Sequence, residues 1–173
     1  MTIIKTKDFI LRPIRMDDAK MYFESQLDKE AKKGFMTTPK TLSDAKKEIK
    51  HKLLSAKNKT GETLAIEING EYAGYVELHD LTKKERYKHT AVIGYCMHPK
   101  YRGRGITTKA VKLMTEYAFR KYKLKRISGW CRTFNKASAR VLEKAGYTLE
   151  GIMRKNKFKD GKYLDDMIWA KVK

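Results

Sequence analysis

A glycine-rich segment between a predicted strand and a predicted helix carries the clearest chemistry in the sequence. It runs from Tyr95 to Thr108 and contains two arginines and two glycines: Arg102, Gly103, Arg104 and Gly105. Such a segment presents backbone amides in front of a helix N-terminus, where an anionic group is favoured, and glycine lets the backbone approach a ligand closely. The third glycine of a dinucleotide fingerprint and the Lys-Ser/Thr ending of a P-loop are missing. The segment therefore predicts a phosphate site that does not bind nucleoside triphosphates, with a ligand-free tight turn as the alternative.

A second segment with chemistry-bearing residues follows further along the chain, from Asn135 to Tyr147. One interpretation is structural, because Asn135 is a natural N-cap and Gly146 a natural C-terminal stop for a helix with an apolar stripe. The Asn-x-x-Ser spacing also places the Ser138 hydroxyl in the first turn of that helix. From the residues alone, both a structural and a ligand-contacting role stay open.

The elements that must position these segments can be predicted from periodicity and turn signals. A strand over Phe9 to Pro13 precedes a helix from Asp17 to Gly34 and a second helix from Thr41 or Ser43 onwards. The Asn69-Gly70 pair between two alternating runs predicts a β-hairpin. The remaining predicted elements are a strand from Ala91 to Met97, a helix from Ile106, capped by Thr107 or Thr108, a strand from Arg126 to Thr133, and a closing hairpin around Asp160-Gly161.

Length and composition bound the class of protein. The chain has 173 residues, of which 41% are hydrophobic, and this is enough for one domain with a sizeable core. Its two cysteines, Cys96 and Cys131, match no disulfide framework or metal spacing, so we expect a reduced, cytoplasmic setting and no metal. Charged residues begin at Lys5, and no apolar run is long enough to span a bilayer, so we expect neither a signal peptide nor a membrane anchor.

The two segments together resemble the acyl-CoA-binding motifs of the GNAT acetyltransferases. The family pattern Arg/Gln-x-x-Gly-x-Gly/Ala falls on Arg102, Gly105 and Thr107, where threonine replaces a small residue. Asn135 to Ser138, followed by an apolar pair and Gly-Tyr, resembles the second motif. The resemblance extends from Leu11 to the closing hairpin, and it is strongest to the branch that contains the ribosomal-protein N-terminal alanine acetyltransferases.

This resemblance implies an α/β (α+β) fold in one N-acetyltransferase domain, residues 1–173. It implies a mixed, mostly antiparallel twisted sheet flanked by about four helices, in which a splayed parallel strand pair holds acetyl-CoA. No metal is implied. The residues that the resemblance places at the cofactor are Cys96, Met97, Arg102, Gly103, Arg104, Gly105, Ile106, Thr107, Asn135 and Ser138.

The resemblance also implies direct acetyl transfer to an amine, without a covalent enzyme intermediate, so both cysteines are interpreted as strand residues. The Met97 amide is implied as the donor to the thioester oxygen. Some relatives protonate the leaving thiolate with a tyrosine at the position of Leu142, so Ser138 is the hydroxyl that remains here. Glu77 and His79 share one strand face and are the candidate general bases.

The net charge of +20 favours anionic partners, although a generally lysine-rich composition explains it equally well. We expect an acetyltransferase that acts on a protein α-amine, with a ribosomal protein as the acceptor and with contact to RNA or the ribosome aiding its approach. The enzyme is expected to be a monomer or a homodimer. An α-amine, with a pKa near ~8, needs less help from a base than lysine does. The alternatives are a polyamine or aminoglycoside acetyltransferase and a non-catalytic basic RNA-binding module.

Overall fold

One eight-stranded sheet organises the fold, in the order β1-β2-β3-β4-β5-β6-β8-β7. The computed structural model describes residues 2–173. The strands are β1 Ile4–Lys5, β2 Ile10–Pro13, β3 Glu62–Ile68, β4 Glu71–His79, β5 Thr90–Met97, β6 Arg126–Arg132, β7 Thr148–Lys159 and β8 Lys162–Val172. The helices are α1 Ala19–Leu27, α2 Lys29–Gly34, α3 Leu42–Lys57, α4 Ile106–Lys121 and α5 Lys136–Lys144. Neighbouring strands are antiparallel except for β5 and β6, which are parallel.

Two hydrophobic cores cover the two faces of the sheet. Helices α4 and α5 pack on one face through residues such as Val111, Met114 and Leu142, together with Met97 and Cys131 of the sheet. Helices α1 and α3 pack on the other face. We call these the α4–α5 face and the α1–α3 face. Because side chains alternate along a strand, consecutive residues of β5 and β6 point to opposite faces.

The parallel pair β5 and β6 separates partway along its length. Pairing runs from Thr90 and Arg126 to Ile93 and Gly129, after which β5 pairs only with β4, and β6 only with β8. The buried side chain of Leu142 packs where they part, and a Cβ at Gly129 would lie 2.8 Å from its Cδ2 atom. Glycine at position 129 therefore lets Leu142 occupy the point at which the two strands diverge.

The structure confirms the predicted mixed sheet with its splayed parallel pair. The Asn69-Gly70 turn has the two positive φ angles, 52° and 82°, that this kind of hairpin requires. Two expectations differ. The described residues form five α-helices rather than about four, because Asp28 ends the predicted first helix and caps a separate α2. The N-cap of α4 is Gly105, rather than either threonine.

Among the residues that the structure describes, no helix has the length and apolar character needed to span a membrane. The same residues contain no cluster of His, Cys, Asp or Glu side chains suited to a metal ion.

Candidate active site

A cleft of about 410 Å³ lies where β5 and β6 part. Its walls are the free edges of these two strands, the residues after β5 and the first turns of α4 and α5, together with α2. Of the predicted cofactor residues, those that line it are Cys96, Met97, Arg102, Gly103, Thr107, Asn135 and Ser138. The sheet therefore brings the two sequence motifs to one cavity, as the sequence predicts.

The glycine loop has the geometry of an anion site. Gly103 and Gly105 have φ angles of 78° and 73°, in the left-handed region that favours glycine, and a Cβ at either position would meet no atom within 4 Å. No side chain caps the N-terminus of α4, so its first backbone amides are available to an external acceptor. The buried Ile106 side chain fixes the start of the helix in the core. These residues fit a diphosphate group, which would be bound by backbone amides.

The two arginines of the loop differ in their partners. The Arg102 guanidinium donates to the Met97 carbonyl at 2.9 Å and forms an ion pair of 2.6 Å with Asp28, the N-cap of α2. Arg104 is exposed and stacks over the Tyr101 ring at 5.7 Å. Arg102 therefore ties the loop to α2, while Arg104 is the arginine placed at the solvent side of the loop.

The free edge of β5 presents backbone amides to the cleft. The His98 amide donates to the Ala73 carbonyl on the β4 side, at 2.8 Å. Because backbone groups of successive strand residues point to alternate sides, the amides of Met97 and Tyr95 point away from β4 and towards the gap. This orientation fits the predicted role of the Met97 amide as a donor to a carbonyl oxygen in the cleft.

A tyrosine and a serine meet on the α4–α5 side of the cleft. The Tyr95 hydroxyl lies 2.7 Å from Ser138 Oγ, and Asn135 Oδ1 accepts from the Ser138 amide at 3.0 Å and caps α5. Burial raises the pKa of Tyr95, so its hydroxyl stays protonated. The sequence motifs did not predict a chemical role for Tyr95. The alternation of side chains along β5 could have indicated such a role, because Tyr95 lies on the same face of the strand as Met97.

The two candidate bases lie at different distances from the cleft. Glu77 pairs with Gly94, a residue of the cleft wall, and a Cβ at position 94 would lie 3.2 Å from Glu77 Oε1. Its other oxygen accepts from Lys52 and from Thr63. Neither side chain lines the cleft, and His79 is further from it, since it lies exposed at the far end of β4, 3.1 Å from Asp80. The arrangement favours Glu77 over His79.

Both cysteines are buried strand residues that line the cleft. Burial raises the pKa of Cys96 to about 11, and burial also raises the pKa of the Cys131 thiol. At neutral pH both are therefore thiols, which are poor nucleophiles. This supports the interpretation of both residues as parts of the strands.

The sequence identifies the family to which the chain belongs. Residues 8–148 match the family described as "Acetyltransferase (GNAT) domain". The chain therefore belongs to the GNAT acetyltransferases, which makes it an acetyl-CoA-dependent N-acetyltransferase.

Relatives and solved structures agree with this family. The chain is 46% identical over 81 residues to the probable N-acetyltransferase YjcK of Bacillus subtilis (strain 168), a match that covers 47% of this chain and 45% of YjcK. It is 28% identical to the uncharacterized N-acetyltransferase YoaA of the same organism, over 99% of this chain and 97% of YoaA.

Among solved structures, the chain resembles an acetyltransferase from Salmonella typhimurium that modifies the N-terminal serine of 50S ribosomal subunit protein L7/L12. The TM-score is 0.86, with 24% identity over 99% of both chains. At this identity the likeness shows a shared fold.

Proposed function

We propose that this acetyltransferase transfers the acetyl group to the α-amine at the N-terminus of a protein, with a ribosomal protein as the acceptor class that its structural neighbour suggests. Acetyl-CoA supplies an acetyl thioester to the cleft. The glycine loop and the α4 N-terminus bind its diphosphate, and the Met97 amide donates a hydrogen bond to the thioester oxygen. The loop residues Gly103, Arg104, Gly105, Ile106 and Thr107 act chiefly through their backbone amides and the Arg104 charge.

Proton transfer is assigned to groups on the two faces of the sheet. On the α4–α5 face, the hydroxyls of Ser138 and Tyr95 share a hydrogen bond, and this pair donates a proton to the departing sulfur. On the α1–α3 face, Glu77 lies against Gly94 and accepts a proton from the amine, directly or through water. An α-amine enters from the α1–α3 face, because the cofactor loop and α5 occupy the opposite side.

The charge of the cleft lining is the observation that carries the choice of acceptor. Among the described residues that line the cleft, the charged side chains are one carboxylate, Glu30, and two guanidinium groups, Arg102 and Arg132. Both guanidinium groups are already paired with carboxylates, Arg102 with Asp28 and Arg132 with Asp166. The several positive charges of a polyamine or aminoglycoside would therefore meet one lining carboxylate, Glu30, in a chain of net charge +20. A peptide N-terminus brings a single amine and a neutral backbone.

Acetylation of a substrate panel tests this proposal. The wild-type enzyme is incubated with acetyl-CoA and with short peptides that begin in Ala, Ser or Met, the same peptides with blocked α-amines and one internal lysine, spermidine, and an aminoglycoside. Mass spectrometry then locates the added acetyl group. We expect acetylation of free α-amines only. Preferred acetylation of spermidine or of the internal lysine would contradict the proposal.

The basic surface is a separate part of the proposal. The exposed face of α3 carries Lys46, Lys47, Lys50 and Lys57, which suits contact with an RNA-rich target. If so, binding to ribosomes weakens steeply as salt is raised, while peptide acetylation depends on salt only weakly.

A further inference from the structure

A buried arginine lies in the wall of the cleft, at the end of β6. Arg132 lines the cleft and is 7% exposed. Its neighbour Cys131 belongs to the core under α4 and α5, so strand alternation directs Arg132 to the α1–α3 face. This is the face that we assign to the acceptor, and Phe35 of the segment after α2 lines the same cleft.

The hydrogen bonds of Arg132 leave donor capacity unused. Its Nη1 atom bonds to Oδ1 of Asp166, which pairs with it across β6 and β8 and is fully buried. The other Asp166 oxygen accepts from Asn156 Nδ2 at 2.7 Å. Arg132 Nε is buried and has no partner among the described residues. A buried N–H group without an acceptor is rare, and here it belongs to a residue that lines the cleft.

The ion pair with Asp166 also determines which kind of acceptor suits the site. The positive charge of Arg132 is already balanced by the Asp166 carboxylate, so the pair as a whole is neutral. What it offers to the cleft is an N–H donor rather than an uncompensated charge. A neutral carbonyl oxygen matches such a donor, whereas a carboxylate would be repelled by Asp166.

We propose that Arg132 determines acceptor specificity by donating a hydrogen bond to the carbonyl group adjacent to the reacting amine. This inference rests on the proposed function and narrows it. The acceptor class is an amine whose next carbon bears a carbonyl, and the peptide form is preferred over the free amino acid. Amines without this carbonyl, including polyamines, leave the Arg132 donor unpaired and are poor acceptors for that reason.

The test compares kcat/KM for three acceptors of similar size in wild type and variants. Alaninamide has the neutral carbonyl, alanine has the carboxylate, and isopropylamine has neither. Arg132→Lys keeps a positive charge beside Asp166 but removes the Nε–H and the planar guanidinium. We expect its kcat/KM ratio of alaninamide to isopropylamine to fall by about tenfold relative to wild type, the effect of losing one charge-assisted hydrogen bond.

Two further variants separate this role from a structural one. Arg126→Lys is the matched control, because Arg126 lies on the same strand and pairs with Glu150 outside the cleft lining. Its kcat/KM ratio of alaninamide to isopropylamine should equal that of wild type. Asp166→Asn leaves the Arg132 charge uncompensated, so the ratio of alanine to alaninamide should rise. The Asp166→Asn variant therefore tests the role of Arg132 even if Arg132→Lys is too unstable to assay.

The outcomes distinguish failure of the inference from failure of the proposed function. If wild type acetylates none of the α-amino compounds or peptides, the proposed function is wrong. Suppose instead that wild type acetylates these compounds. The proposed role of Arg132 is then wrong if the kcat/KM ratio of alaninamide to isopropylamine in Arg132→Lys equals the wild-type ratio, or if Arg126→Lys lowers that ratio to the same extent. An unchanged kcat/KM ratio of alanine to alaninamide in Asp166→Asn would contradict the inference that Asp166 balances the charge of Arg132.

Discussion

Placing a negative charge on the glycine loop tests the proposed phosphate site directly. In Gly105→Glu, a carboxylate would stand beside the uncapped N-terminus of α4, where we place the cofactor diphosphate. Gly105→Gln is the matched control, because glutamine has nearly the same shape without the charge. A Cβ at position 105 would meet no atom within 4 Å, so neither substitution creates a clash at Cβ.

The size of both effects follows from the Gly105 backbone and from Coulomb's law. Gly105 has a φ angle of 73°, and a non-glycine residue in the left-handed region destabilises the fold by about 1–2 kcal/mol. This loss is common to both variants. A carboxylate about 5 Å from one phosphate charge, at an effective dielectric constant of about 20, opposes binding by about 3 kcal/mol. The charge alone should therefore weaken acetyl-CoA binding about a hundredfold in Gly105→Glu relative to Gly105→Gln.

Calorimetric titration with acetyl-CoA at two salt concentrations measures this difference. The difference between the two variants in the dissociation constant for acetyl-CoA should become smaller at high salt, because exposed charges are screened. Thermal unfolding of the unliganded variants checks that both lose stability to a similar extent. Equal dissociation constants for Gly105→Glu and Gly105→Gln would refute a diphosphate at this loop, whatever the effect of either variant on activity.

Three further predictions concern proton transfer, thiol chemistry and pH. Ser138→Ala and Tyr95→Phe should each lower kcat about tenfold or more with little change in KM, since general acid catalysis contributes about 10² or more; unchanged kcat in both would exclude this hydroxyl pair. Cys96, whose pKa burial raises to about 11, should resist iodoacetamide at pH 7 in the folded enzyme and react once it is unfolded; rapid alkylation of the folded enzyme would contradict its burial. Burial raises the pKa of Asp28, but hydrogen bonding from Arg102 outweighs this and holds that pKa below its usual value. The stability that this ion pair adds is thus full above about pH 4 and is lost as pH falls through the lowered pKa. Denaturant unfolding of wild type and Asp28→Asn should accordingly differ at pH 7 and converge in acid; a gap that persists at low pH would argue against the pair.

Local sequence signals predicted much of the fold because the interactions behind them are local. Asn69-Gly70 predicted its hairpin, since few other residue pairs tolerate two positive φ angles. Asn135 predicted the start of α5, since its side chain caps a helix three residues ahead. The break of the first predicted helix at Asp28 was missed, because the residues on both sides of it favour helix. Arg102 contacts Asp28, the N-cap of α2, from 74 residues further along the chain, and such a contact is tertiary.

The sequence by itself determined the glycine-rich loop, the serine-bearing helix and the family to which the chain belongs. These depend on residue types and short spacings, and the chain carries them directly. The tertiary structure alone decided that Tyr95 meets Ser138, that Glu77 lies against the cleft wall while His79 does not, and that Arg132 pairs with Asp166. Each of these contacts joins residues on different elements. The physical reason is that sheet order and the separation of β5 from β6 set which side chains become neighbours, and both follow from packing the whole chain.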